Sequence, residues 1–236
     1  MTVQAKLNGR GPYRFGIDSG SSAPLILGAD LARGLPQVGS VQQGAPGGSG
    51  SRSVPLVRVD SLSIGAAEFS GVEATSGASF PGLDGMIGIL LFEKLTATLD
   101  YQHRTLLLSH QRLSDGPHAV PCTIEHGIPT IDIRAGGTGL TVTVDTGGPG
   151  VLDVPTSARL PLRGTPTPVG TANIGGSTFT IRAAPLNGDL AVAGWTTHAP
   201  TVRLVDGVPI ASIGAALLHG YAVTFDVPSH RLALIR

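Results

Sequence analysis

The sequence predicts an all-β chain folded as two lobes related by a pseudo-twofold. Three observations carry that expectation. Gly (34) and Pro (18) supply more than a fifth of the 236 residues, hydrophobic residues reach 41% and charged ones only 14%. That is the profile of many short apolar segments cut by tight turns. Those segments alternate apolar and polar side chains, the period of a half-buried strand. The chain also repeats itself, and an internal repeat sets the architecture before any single motif does.

The repeat is legible at both ends of each half. Phe15-Gly16-Ile17-Asp18-Ser19-Gly20-Ser21 matches Val142-Thr143-Val144-Asp145-Thr146-Gly147-Gly148, with the two Asp 127 positions apart. Ile87-Gly88, Asp100 and Leu106 match Ile213-Gly214, Asp226 and Leu232 at an offset of 126. In the middle, Ile64-Gly65 pairs with Ile174-Gly175 at an offset of 110, which assigns about 17 extra residues to the first half, within Gly39 to Ser53. That Gly-, Ser- and Gln-rich stretch reads as a surface loop on composition, and as a mobile hairpin tip over a cleft on function. The halves divide as residues 1–116 and 117–236, joined near Ser114-Asp115-Gly116-Pro117.

Taken in order, Val3 to Leu7 and Tyr13 to Ile17 form a hairpin around Asn8-Gly9, a strong turn signal. Val54 to Val59, Ser61 to Ile64, Ala67 to Glu73, Leu95 to Tyr101 and Thr105 to Ser109 complete the first half's strands. The second half offers Val120 to Ile124, Thr130 to Arg134, Leu140 to Val144, Thr178 to Ala183, Thr201 to Leu204, Ala222 to Phe225 and Leu232 to Ile235. Short helical turns are expected at Ala29 to Gly34, Leu90 to Leu95, Pro155 to Leu160 and Ala215 to His219.

Composition excludes several classes. Sixteen basic residues balance sixteen acidic ones, so no basic field exists to gather nucleic acid. No apolar run is long enough to span a membrane as a helix. The seven His are scattered without metal-ligand spacing, and the Gly-rich stretch does not join a strand to a helix as a dinucleotide site requires. No metal or organic cofactor is therefore expected. Cys122, the single cysteine, reads as a small buried hydrophobe. Asp84, Asp100 and Asp226 read as turn residues and the histidines as surface or packing residues.

Two Asp-[Ser/Thr]-Gly turns, each followed about 70 residues later by apolar-apolar-Gly, resemble the pepsin-like and retropepsin-like aspartic proteases, especially the compact bacterial two-lobe group. The resemblance spans nearly the whole chain. It implies ψ-loops in which Ile87-Gly88 and Ile213-Gly214 thread behind the active loops, and cross-bonding hydroxyls at Ser19 and Thr146. It implies that Asp18 and Asp145 share one proton and activate water, because two close carboxyl groups do not both ionise readily. Gly20 and Gly147 let the loops approach closely. The implied reaction is endopeptidase cleavage of a peptide or protein held as an added strand. Ala45, Pro46, Gly47, Gly48 and Ser49 would be a flap that covers the substrate.

Departures from the pattern shape further expectations. Ser21 can donate to the outer oxygen of Asp18, whereas Gly148 has no side chain to offer Asp145; Asp145 is therefore expected to hold the shared proton. The same departure leaves room for an alternative, a catalytically silent peptide-binding module of this fold; a carbohydrate-binding sandwich, with the two Asp far apart, is a more distant one. Val120 to Ile124 has no counterpart ahead of Val3, so the natural protein is expected to extend upstream, with a missing strand and room for an export signal; Met1 to Ala5 is not itself a signal peptide. Because both Asp lie in one chain, dimerisation is unnecessary for building the site and a monomer is expected.

Overall fold

The computed structural model describes residues 1–43, 52–174 and 177–236. The first half contributes β1 (Thr2–Leu7), β2 (Arg10–Ile17), β3 (Leu25–Gly28), a helical turn α1 (Ala29–Ala32), β4 (Gln37–Gln43), β5 (Arg52–Ile64), β6 (Ala67–Ala78), β7 (Gly85–Ile87), β8 (Thr96–Asp100) and β9 (Thr105–Ser109). The second contributes β10 (Ala119–Pro121), β11 (Thr123–Glu125), β12 (Ile128–Ala135), β13 (Thr138–Val144), β14 (Leu152–Pro155), β15 (Thr167–Ile174), β16 (Ser177–Pro185), β17 (Asp189–Val192), β18 (Trp195–His198), β19 (Thr201–Val205), β20 (Ala211–Ile213), α2 (Ala215–Leu218), β21 (Ala222–Asp226) and β22 (Arg231–Ile235). The chain is all-β with a few short helical turns, as expected. Among the described residues no helix is long and apolar enough to cross a membrane.

The repeat is a repeat of topology. One sheet runs β1-β2-β7-β3-β6-β5-β4, and another runs β12-β13-β20-β14-β19-β16-β15 before the second half adds β17 and β18. In each, a three-residue strand slips between the two strands that flank the Asp turn. β7 lies parallel to β2 and antiparallel to β3, and β20 lies parallel to β13 and antiparallel to β14. Burial drives the insertion: Ile87, Ile213 and the flanking Phe15, Ile17, Val142 and Val144 are nearly or wholly buried, and each such side chain removed from water contributes about 1.5–3 kcal/mol. A third sheet, β10-β22-β21-β8-β9, draws strands from both halves. Thr98 and Thr224, 126 positions apart, meet hydroxyl to hydroxyl at 2.9 Å where β8 pairs with β21. The pseudo-twofold passes through that pair.

Several boundaries differ from expectation, for local reasons. Asn8 (φ 47°) and Gly9 (φ 75°) make the anticipated left-handed hairpin turn. The two segments expected at 54–59 and 61–64 are one strand, β5, whose ladder to β6 bends at Gly71 (φ 65°) instead of stopping at Asp60. Val120 to Ile124 is two strands in two sheets, broken where the Cys122 amide turns to the His230 carbonyl at 2.8 Å. No helix forms at Pro155 to Leu160, where one turn closes from Ala158 to Pro155 before Pro161 ends it.

The middle of the repeat needs a larger correction. Ile64-Gly65 is the turn between β5 and β6, whereas Ile174 ends β15. In the sheet order β15-β16 occupies the place of β4-β5. The outermost pair of each ladder, Gln43↔Arg52 and Ile174↔Ser177, is centred about 30 residues past its Asp. The halves therefore match in length through this hairpin, and the 17-residue excess disappears. Ala45, Pro46, Gly47, Gly48 and Ser49, together with Gly175, lie outside the described residues.

Candidate active site

Each Asp sits just past the end of a buried strand, with its amide tied to the inserted strand beside it. Asp18 N–H donates to the Ile87 carbonyl and Asp145 N–H to the Ile213 carbonyl, both at 2.9 Å. This fixes where the two turns begin. The next residue locks them together. Ser19 Oγ donates to the Val144 carbonyl (2.5 Å) and accepts from the Thr146 amide (2.9 Å). Thr146 Oγ1 donates to the Ile17 carbonyl (3.1 Å) and accepts from the Ser19 amide (3.0 Å). Ser19 and Thr146 are 0% and 5% exposed, so each bond is made in a place where an unmet polar group would be expensive.

This lock brings the carboxyl groups of Asp18 and Asp145 within hydrogen-bonding range of one another. The two glycines after it are there for space. A Cβ on Gly20 would lie 2.6 Å from Asp145 Oδ1, and one on Gly147 would lie 2.7 Å from Asp18 Cγ. Gly148 is equally constrained, since its Cβ would stand 2.7 Å from Asp145 Oδ2. The glycine that looked like a missing donor is thus the residue that lets a carboxylate fit.

The hydrogen bonds around the pair differ from expectation. Ser21 Oγ donates to the Ala23 carbonyl at 3.1 Å and accepts from the Ala23 amide; its hydroxyl is spent on its own loop and not on Asp18. Asp145 Oδ1 accepts two backbone amides of its turn, Gly147 and Gly148, each at 2.9 Å. Asp18 Oδ1 accepts only Gly20 from its own turn, at 2.9 Å. Burial, and then the Asp145 charge, push Asp18 up to about 6. Asp18 therefore holds its proton to higher pH than an ordinary carboxyl group, with burial the larger cause.

One further group borders the site without having been singled out. Tyr101 follows β8 with its hydroxyl buried near Thr146, and burial pushes it up to about 12; its ring packs on His219 at 4.3 Å between centroids. The only hint in the sequence was position: Tyr101 follows Asp100 where Val227 follows Asp226, an aromatic set against an aliphatic across the repeat. Asp226 is itself a turn residue, fully buried and accepting the Leu113 amide at 2.8 Å. A groove of about 840 Å³ lies elsewhere, against β6 and the segment 90–95, and neither Asp lines it.

Residues 3–91 match the aspartyl protease family. No curated protein matches the sequence. Among solved structures, basic 7S globulin from soybean superposes over 99% of this chain and 90% of its own, at 11% identity and a TM-score of 0.53. A retropepsin-like aspartic protease from Rickettsia conorii covers 49% of this chain and 87% of its own, at 16% identity and a TM-score of 0.35. The family match spans the first Asp turn; the second Asp turn repeats its topology and is bonded to it through Ser19 and Thr146.

Proposed function

We propose that this protein is an aspartic endopeptidase that hydrolyses peptide bonds with a water held between Asp18 and Asp145. The observation that carries the reading is the meeting of two carboxyl groups, Asp18 and Asp145, on two interlocked loops. Asp145 takes a proton from the water as its oxygen bonds to the scissile carbonyl carbon, while Asp18 gives its proton to the carbonyl oxygen. The resulting gem-diol collapses when Asp145 passes its proton to the amide nitrogen and Asp18 recovers one from a hydroxyl; the C–N bond breaks and the pair is restored. No covalent enzyme intermediate forms. An extended peptide would lie across the loops as an added strand.

A library of fluorogenic peptides assayed from pH 3 to pH 7 tests this. Hydrolysis by the wild type, abolished in both Asp18→Asn and Asp145→Asn, is the expected result. Peptide binding without turnover, unaffected by either substitution, would instead mark a silent binding module of the same fold.

A further inference from the structure

The strands that lead into the two Asp turns present unlike walls on the face that carries the carboxyl groups. Side chains alternate across a strand, and the amides of Asp18 and Asp145 extend the ladders to Ile87 and Ile213 by one residue. Ile17 and Val144 point into the cores, 2% and 0% exposed. Gly16 therefore shares the face of Asp18, and Thr143 shares the face of Asp145. The registers carry each face across its sheet. In the first half Gly16 stands beside Met86, and Met86 beside Ile26. In the second Thr143 stands beside Ser212, Ser212 beside Asp153, and Asp153 beside Arg203. Every one of these side chains is half-buried, neither sealed in a core nor fully in water.

Size and polarity are exchanged between the halves. Gly16 leaves room for Met86: a Cβ there would lie 2.6 Å from Met86 Sδ and 3.2 Å from Leu83 Cδ1. Met86 thus lies over β2, and with Leu83 and Ile26 it makes the wall beside Asp18 apolar. Beside Asp145 the same positions hold Thr143, Ser212 and Asp153. Arg203 forks Asp153, Nε to Oδ1 at 2.7 Å and Nη2 to Oδ2 at 2.5 Å, so this wall is polar without net charge.

We propose that these walls choose the bond to be cut: a large apolar side chain on one side of the scissile bond, seated against Met86, and a small hydroxyl or amide side chain on the other, seated against Thr143 and Ser212. The inference rests on the peptidase reading and names its substrate class. A peptide extended across a pseudo-twofold site lays the two residues that flank the bond over opposite halves. Leucine pressed on Thr143 and Ser212 would strip water from two hydroxyls and return no hydrogen bond, whereas Ser, Thr or Asn replaces that water. Against Met86 the preference reverses, because an apolar side chain there removes apolar surface from water.

A peptide library randomised at adjacent positions, with the cut bonds located by mass spectrometry, reads this directly. The wild type should favour Leu, Met or Phe on one side of the cut and Ser, Thr or Asn on the other, each by at least about tenfold in kcat/KM. Ser212→Leu should turn the second preference apolar and leave the first in place. Met86→Ser should relax the first and leave the second; where it does not fold, Ser212→Leu alone decides. An apolar preference on both sides overturns the proposal, as does a Ser212→Leu variant that changes neither side or both. Absence of any hydrolysis is failure of the peptidase reading, and binding then tests the walls by themselves. Titration calorimetry of Asp145→Asn with peptides centred on Leu-Ser, Ser-Leu and Leu-Leu should rank one of the mixed pairs at least about tenfold above Leu-Leu. Equal affinities, or no binding of any of the three, overturn the inference.

Discussion

Asp18→Asn isolates the energetic consequence of placing two carboxyl groups together. Burial and the Asp145 charge raise Asp18 from 3.8 to about 6. An acid with a raised folded pKa binds its proton more tightly when folded, so its contribution to stability is fully present below the unfolded value. It is lost as pH rises from about 3.8 through about 6. At about 1.36 kcal/mol per unit, a shift of roughly two units amounts to a cost of about 3 kcal/mol at pH 7. Asparagine has the same shape and no proton to lose. Urea unfolding of wild type and Asp18→Asn should therefore give nearly equal stabilities at pH 3.5, with the variant ahead by about 2–3 kcal/mol at pH 7. Taking the difference between the two proteins cancels the titration of groups that do not interact with Asp18. A difference that does not change with pH would refute the claim that Asp18 is the raised member of the pair. In an Asp145→Asn background the gain should shrink but persist, because burial, not the neighbouring charge, is the larger cause.

Four further outcomes are expected. Peptide hydrolysis should fall as pH rises through about 6, where Asp18 loses the proton that it delivers to the substrate carbonyl, and a pH-rate profile would show it. Ser19→Ala removes the acceptor for the buried Thr146 amide and the donor to Val144, and chemical denaturation should show a loss of about 2–4 kcal/mol. Thr146→Ser keeps its hydroxyl and should stay within about 1 kcal/mol of the wild type. Gly147→Ala would put a methyl group 2.7 Å from Asp18 Cγ and force the carboxyl groups apart; kcat should drop by about 100-fold or more while the melting temperature moves only a few degrees, since misplacement of about 1 Å is enough for such a loss.

The legible parts of this protein were those written in local chemistry. Asp18-Ser19-Gly20 and Asp145-Thr146-Gly147 declare themselves because a turn that must hold a carboxylate and approach its twin needs a short hydroxyl residue and a glycine. The strands declare themselves by alternation, and the doubling by a constant offset at both ends. Where the offset was carried by two small residues, as at Ile64-Gly65 and Ile174-Gly175, it misled. Isoleucine-glycine suits either of two different hairpin turns, and only the ladders show which strands β15 and β16 replace. Tyr101 escaped notice because nothing local distinguishes an aromatic behind an active loop from one in a core.

The amino-acid sequence by itself determined the two-lobe β architecture and the pair of Asp turns, since hydrophobic period and turn chemistry act over a few residues. Tertiary structure alone decided where the Ser21 hydroxyl goes, what Gly148 is for, and which strands β15 and β16 replace. Those depend on the direction of backbone amides and on the approach of segments more than a hundred residues apart, and neither is written in any short stretch of side chains.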